Sequence, residues 1–113
     1  MGESDIELSN REPDRWAIEG DLTGANASRL EIALNALENE TTIVELDLSA
    51  LDIGDATALT ILVGSLRRLA ARLSRLVLVG APQILGHSLY RIGALTSDGK
   101  IQLVEMRRDE PYG

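Results

Sequence analysis

The chain has 113 residues, 44% hydrophobic and 26% charged, with a net charge of −7 and no cysteine. This length favours one domain spanning residues 1–113, with about 107–113 as a loose tail. The acidic charge disfavours nucleic-acid binding, and the absence of cysteine excludes disulfides, thiolate catalysis and cysteine–metal sites. No apolar run reaches the roughly 18 residues of a membrane span. The polar start does not resemble a signal peptide, so we expect a cytoplasmic protein.

The first third of the chain predicts a hairpin and then a helix. "DIELSN" (5–10) and "RWAIEGDL" (15–22) are short strand patterns separated by the turn "REPD". A helix follows, with Thr23 or Asn26 as its cap and "ENETT" (38–42) as its end. Its apolar face has the three- and four-residue spacing of a buried helix side: Leu30, Ala33, Leu34 and Leu37.

The middle of the chain predicts a strand and a long helix. "TIVELDL" (42–48) alternates apolar and polar side chains, which indicates a strand with one buried face. Asp55 is suited to cap the helix that follows, because its charge complements the helix dipole. The apolar stripe of this helix is Leu59, Leu62, Leu66, Leu69 and Leu73. We expect its other side to be exposed at Thr60, Ser65 and Arg68.

The last third predicts a strand, a helix and a final strand. "RLVLVGAP" (75–82) is a continuous apolar run, typical of an inner strand covered on both faces. Residues 82–93 fit a helix that starts at Pro82 and ends at Gly93, and 100–106 fit a strand. The apolar side of that helix is predicted to be Ile84, Leu85, Leu89 and Ile92.

The predicted order of elements is therefore β-β-α-β-α-β-α-β. The strand, helix and strand between residues 42 and 79 form a crossover, which requires a parallel pair. The early hairpin adds an antiparallel pair. We predict an α/β domain with a mixed sheet and with helices packed mainly on one face.

The stretch "LDLSALDIGDATALTILVGSLRRL" (46–69) resembles the signature of STAS domains, which include bacterial anti-sigma factor antagonists. "AIEGDLTGANASRLEIAL" and "LVLVGAPQILGHSLYRIGAL" resemble the family's early and late segments, so the likeness covers nearly the whole chain. The resemblance implies a single STAS-like domain and a non-enzymatic module for protein interaction. Its implied partner is a kinase-type anti-sigma factor, in the partner switching that regulates transcription.

The sequence departs from that family at Ala56, at Ala58 in place of the family's glycine, and at Thr23 in place of the usual loop aspartate. In the antagonists, the residue after the signature aspartate is a serine or threonine that the partner kinase phosphorylates. Here this position is Ala56, which has no hydroxyl, while the next residue, Thr57, keeps one. The resemblance thus implies a constitutive binder that a kinase cannot switch off. Thr57 is either a substitute acceptor or a structural hydroxyl close to the helix cap.

The predicted partner-binding surface joins residues 20–24, residues 49–57 and the start of the following helix. It comprises Asp21, Thr23, Ser49, Asp52, Asp55, Ala56, Thr57 and Thr60. A second interpretation keeps the fold and changes the partner. Small STAS subunits also sit on ABC transporters that move phospholipids, and the partner is then the transporter ATPase.

We expect no catalytic residue, no metal site and no cofactor. Asp52 and Asp55 could be read as paired carboxylates, but a helix cap and a solvated loop charge explain them better. His87 and Ser88 cannot share one helical face, and nothing aligns Asp98 with them, so we interpret His87 as a surface residue. Nucleotide binding at the helix start is opposed by the two aspartates.

Overall fold

A computed structural model describes residues 6–37, 43–95 and 99–105. The predictions for 38–42, Asp98 and 106–113 lie outside these residues. The three helices are α1 (Ala27–Asn35), α2 (Ala56–Ala71) and α3 (Gln83–Arg91). The strands are β1 (Glu7–Glu12), β2 (Arg15–Leu22), β3 (Ile43–Asp47), β4 (Leu51–Ile53), β5 (Arg75–Val79) and β6 (Ile101–Val104).

The strands form one mixed sheet in the order β1-β2-β3-β5-β6, with β4 beside β2. β1 and β2 are antiparallel, whereas β2–β3, β3–β5 and β5–β6 are parallel. The predicted hairpin and the predicted crossover are therefore confirmed. β1 begins and ends two residues later than predicted, because Asn10 closes the hairpin by donating from Nδ2 to the carbonyls of Glu12 (2.7 Å) and Arg15 (3.1 Å).

The strand β4 was not predicted. β2 pairs with β3 through Arg15–Ala17 and with β4 through Gly20–Leu22. β3 and β4 therefore pair with the same edge of β2, one after the other. In the turn between them, Asp47 Oδ1 accepts a hydrogen bond from Ser49 N–H (3.0 Å). Three residues are too few to show a period, so the sequence pattern alone does not distinguish this strand from a loop.

All three helices pack on one face of the sheet. Alternate strand residues such as Leu46 and Leu78 are buried in one core with the apolar side chains of α1, α2 and α3. On the other face Val77 and Val79 keep partial exposure. The prediction of an inner position for β5 is confirmed, while full cover on both its faces is wrong, because the helices lie on one side only.

The helix α2 is the central element of the helical layer. Its predicted stripe is buried from Leu62 onward, and Asp55 is its N-cap as predicted. Ser65, predicted to be exposed, is instead buried and donates its hydroxyl to the Ile61 carbonyl (2.9 Å). Arg68 is exposed but forms an ion pair with Glu31 of α1. This side of α2 thus packs against α1.

The helix α3 is two turns long and follows Pro82. Leu85 and Leu89 are fully buried, one helical turn apart. Ile84 and Ile92 were predicted for the same side, yet they are 53% and 48% exposed. A short helix on one sheet edge buries a narrow stripe, so its neighbouring positions remain at the surface. Gly93, at φ +78°, ends the helix as predicted.

Among the described residues, none of the helices combines the length and the apolar character needed to cross a membrane.

Candidate functional site

Three segments meet at the first turn of α2. The β2–α1 loop approaches from one side, and β4 brings the chain to Asp55 from the other. Gly54 N–H donates to the Leu22 carbonyl (2.8 Å), which fixes the end of β4 against the end of β2. The parallel register pairs Asp21 with Asp52 across the two strands. Both aspartates are exposed, and neither forms an ion pair with another described residue.

The Asp55 carboxylate connects two of these segments. Its Oδ1 accepts from Ala58 N–H (2.8 Å), which is the capping bond of α2. Its Oδ2 accepts from Gly24 N–H in the β2–α1 loop (3.0 Å). The bond from Gly24, followed by that from Ala58, holds the pKa of the Asp55 carboxyl below its ordinary value, because both N–H groups favour the charged form. Asp55 therefore acts as a negatively charged clamp between loop and helix.

Gly24 was not singled out from the sequence, although it is needed here. A Cβ at this position would lie 3.3 Å from Thr57 Cγ2 and 3.6 Å from Asp55 Oδ1. The loop therefore approaches α2 more closely than most side chains permit. The second glycine of "GDLTG" was the available signal, but only the fold shows which helix the loop meets.

Ala56 is exposed at the first position of α2. Its carbonyl accepts from Thr60 Oγ1 (3.0 Å), so the hydroxyl of Thr60 already has a partner inside the helix. Thr57 is also exposed, and its methyl group faces Gly24. The arrangement therefore presents a small apolar residue at the exposed start of the helix, followed by the two hydroxyl-bearing residues Thr57 and Thr60.

The β2–α1 loop is ordered by its own side chains. Asn26 occupies the N-cap position of α1 but does not cap that helix. Instead its Oδ1 accepts from Thr23 N–H (2.9 Å) and its Nδ2 donates to the Asp21 carbonyl (2.9 Å). Thr23 Oγ1 accepts from Ala25 N–H (3.2 Å). Both capping candidates are thus used within the loop, which corrects the sequence prediction.

Ser49 lies apart from the start of α2. Its hydroxyl donates to Asp47 Oδ1 (2.6 Å), and its Cβ lies 2.9 Å from where a Cβ on Gly80 would be. Gly80 also has φ +66°. Both the close contact and this backbone conformation therefore favour glycine at this position. Ser49 therefore packs at the end of β5, while the other predicted binding residues surround the start of α2.

The catalytic alternatives find no support in the described part of the chain. His87 is exposed and makes no hydrogen bond there, while Ser88 lies half-buried beside it on α3. No group of three acidic or histidine side chains among the described residues could hold a metal ion. Asp52 is a solvated charge, and both oxygens of Asp55 are occupied by backbone bonds.

A groove of about 400 Å³ runs between α2 and α3. It is lined by Leu59, Thr60, Val63, Ser88, Arg91 and Ile92. We call it the α2–α3 groove. It was not predicted from the sequence, because its residues are interspersed with core positions on two helices.

The fold and this ordered helix start define a class of protein. The family model described as "Mlab, STAS domain" matches residues 8–105 of the chain. The chain belongs to this family of STAS domains, which confirms the resemblance seen in the sequence. Comparison with curated proteins gives no significant match.

Solved structures show the same fold at low identity. The anti-sigma factor antagonist SpoIIAA in its unphosphorylated form is 14% identical, with a TM-score of 0.58, over 91% of this chain and 88% of that one. A sulfate transporter family protein from Wolinella succinogenes is 23% identical, with a TM-score of 0.55, over 79% and 75%. A protein with a SpoIIAA-like fold from Shewanella loihica is 18% identical, with a TM-score of 0.56, over 96% and 93%. At these identities the likeness establishes the fold alone.

Proposed function

We propose that the protein is a non-enzymatic interaction module that binds a protein partner through the start of α2. We define the α2 entry surface as Asp21, Thr23, Asp52, Asp55, Ala56 and Thr57. The observation that carries the proposal is the clamp at Asp55. Its carboxylate is fully used in holding the β2–α1 loop against the helix, so the loop and the start of α2 form one ordered surface.

The charges of the α2 entry surface indicate the chemistry of its partner. Asp21 and Asp52 lie side by side without a cation among the described residues. A partner with lysine or arginine opposite them would gain charge-assisted contacts and faster association. Ser49, which packs near Gly80, lies outside the proposed contact, whereas Thr60 borders it through its bond to Ala56.

The first candidate partner is a kinase-type anti-sigma factor. The likeness to the fold of SpoIIAA supports it. The exposed Ala56 would make this protein an antagonist that cannot be phosphorylated at that position. A phosphate at this position would place about two negative charges where the helix now presents a small apolar residue, and the cost of desolvating that charge in the contact would weaken binding. Because alanine cannot carry the phosphate, this protein would remain bound whatever the activity of the kinase. Thr57 keeps its hydroxyl one position further along, with its methyl group turned to Gly24.

The second candidate partner is the ATPase of an ABC system that transports phospholipids. The matching family model is compatible with it, since that model is described as "Mlab, STAS domain" and not as a family of antagonists. In this assembly a residue without a hydroxyl at position 56 needs no special explanation. Both candidates use the α2 entry surface and differ only in what binds there.

The test is an affinity pull-down from native lysate, with mass spectrometry of the bound proteins. Wild-type bait is compared with Asp52→Lys and with a matched control, Asp14→Lys. Asp14 is exposed beside the opposite end of β2. It is seven residues from Asp21, the strand partner of Asp52, which is about 23 Å in an extended strand. We expect one protein to bind wild type and Asp14→Lys and to be lost with Asp52→Lys. Equal capture by all three baits would contradict the proposed surface.

The identity of the captured protein separates the two candidates. A protein with an ATP-binding kinase domain supports the constitutive antagonist. A transporter ATPase supports the subunit of a transport assembly.

A further inference from the structure

The α2–α3 groove continues from the α2 entry surface. Leu59 and Thr60 line its near end and lie one helical turn beyond Ala56, to whose carbonyl Thr60 is hydrogen-bonded. Val63 lies one turn further along. Ala56 and Val63 are seven residues apart, or about 10 Å along the helix. A partner that covers Ala56 is therefore within one or two side chains of the groove.

The groove has an apolar interior and a polar edge. Leu59, Val63 and Ile92 supply the apolar wall, and Ile92 remains 48% exposed. Among the described residues that line it, Arg91 is the only charged one, and it forms no ion pair with another described residue. Burying an apolar group in this space would be favourable, because its surface would leave water. A carboxylate beside it could pair with the guanidinium of Arg91.

The neighbouring charges have opposite signs. The α2 entry surface presents Asp21 and Asp52, whereas the groove presents Arg91. A protein segment can carry a cation for the first and, further along, an apolar side chain and a carboxylate for the second. A small anionic amphiphile could fill the groove but could not complement both charges, so the pattern favours a protein segment.

We propose that the α2–α3 groove receives an apolar side chain from the protein that binds the α2 entry surface, and that a neighbouring aspartate or glutamate of this protein pairs with Arg91. This inference rests on the proposed function, since it assigns a second contact to the same partner. Two of the residues expected from the sequence to be exposed on α2 do not contribute to this contact, because Ser65 is buried and Arg68 is paired with Glu31 of α1.

Site-specific photo-cross-linking in the native host tests the contact with whichever protein binds there. Benzoylphenylalanine is placed in the full chain at Ala56, at Ile92, and at Ile32 as control. Ile32 is 68% exposed on α1, away from both sites. We expect positions 56 and 92 to cross-link to the same protein and position 32 to give no adduct with it. The peptide joined to position 92 should contain an aspartate or glutamate next to the apolar residue.

The outcomes separate the two proposals. A protein adduct at 56 alone would overturn the groove contact and leave the α2 entry surface intact. No protein adduct at 56 or 92 would overturn both. An adduct at 92 with a lipid-sized mass, or with a different protein, would overturn the occupant proposed here.

A charge reversal then tests Arg91 with the captured protein. We expect Arg91→Glu to weaken binding at least tenfold, while Arg75→Glu changes it less than twofold. Arg75 is a matched control, exposed at the start of β5 and in no ion pair with a described residue. Replacing the partner's mapped carboxylate by lysine should restore binding to Arg91→Glu. Unchanged affinity of Arg91→Glu would overturn the pairing.

Discussion

At the scale of single residues, Asp55 has the greatest influence on the site. One carboxylate caps α2 through Ala58 and holds the β2–α1 loop through Gly24. Nearby Asp52 makes no comparable bond among the described residues. The two aspartates therefore have separable roles, one in holding the surface together and one in presenting charge.

Replacing Asp55 by alanine should destabilise the protein, because the cap and the link between loop and helix are lost together. We expect the melting temperature to fall by roughly 5 °C, from the usual effect of losing a cap. Asp52→Ala should leave it nearly unchanged. Circular dichroism melts of the three proteins make the comparison, and an equal fall in both variants would contradict the assigned roles.

The same clamp should depend on pH. The pKa of Asp55 is lowered in the folded state, so its stabilisation is fully present above the ordinary carboxyl value near 4 and is lost as the pH falls through the folded pKa. Urea unfolding of wild type and Asp55→Ala should show a constant difference in free energy of unfolding from about pH 7 to pH 5. The difference should shrink at lower pH. A difference that grows on acidification would contradict this sign.

Ala56 supports a prediction with a gain of function. If the partner is a kinase-type anti-sigma factor, Ala56→Ser should be phosphorylated by it and should dissociate in the presence of ATP. Wild type should remain bound. Ala25→Ser is the control, since residue 25 is an exposed alanine in the adjacent loop. If Ala56→Ser takes up no phosphate, the antagonist candidate loses its main support and the transport candidate gains.

At the scale of elements, two helical glycines differ in their surroundings. A Cβ at Gly64 of α2 would lie 3.7 Å from Arg68 Nη1, a normal contact. A Cβ at Gly86 of α3 would lie 3.1 Å from Leu103 Cδ1 on β6, so that side chain must move.

Gly64→Ala should therefore stabilise the protein by up to about 1 kcal/mol, the usual advantage of alanine in a helix. Gly86→Ala should stabilise the protein less, because the Leu103 side chain must move to make room for the new Cβ. Gly80→Ala should destabilise, since its Cβ would lie 2.9 Å from Ser49 at φ +66°. Chemical denaturation gives the three values, and a larger gain at residue 86 than at residue 64 would contradict the packing.

The elements also show how far sequence reasoning reaches. α2 was predicted well, because five leucines repeat over four turns and one aspartate marks the start. β4 was missed because three residues carry no period, and its strand character comes from pairing with β2. The acidic residues and Ala56 of the site could be found by resemblance. Gly24 and Arg91 could not, since their roles depend on which loop or helix lies opposite.

At the scale of the whole molecule, one core joins the sheet to all three helices. Leucine dominates it, and Leu66 of α2 is fully buried near its centre. Because no second core appears in the described residues, the chain should unfold as one unit. Trp16, the only tryptophan, lies half-buried on β2 and reports on the sheet.

Leu66→Ala should lower the free energy of unfolding by about 2–5 kcal/mol, as a buried cavity does. Leu103→Ala should cost less than half as much, since Leu103 is 40% exposed. Tryptophan fluorescence and circular dichroism should give coincident transitions in both variants. Separated transitions would contradict a single domain.

The clamp at Asp55 also lowers the conformational entropy that the proposed binding would have to remove. Ordering a flexible backbone costs about 1–2 kcal/mol of conformational entropy per residue, and a partner that met loose loops would lose that amount from its affinity. Here Gly24 is already held against α2, and Asn26 already fixes the β2–α1 loop. The entropy is lost when the chain folds, before any partner arrives. A partner of the proposed kind would therefore meet a surface that is already ordered, and a modest contact area would suffice for tight association.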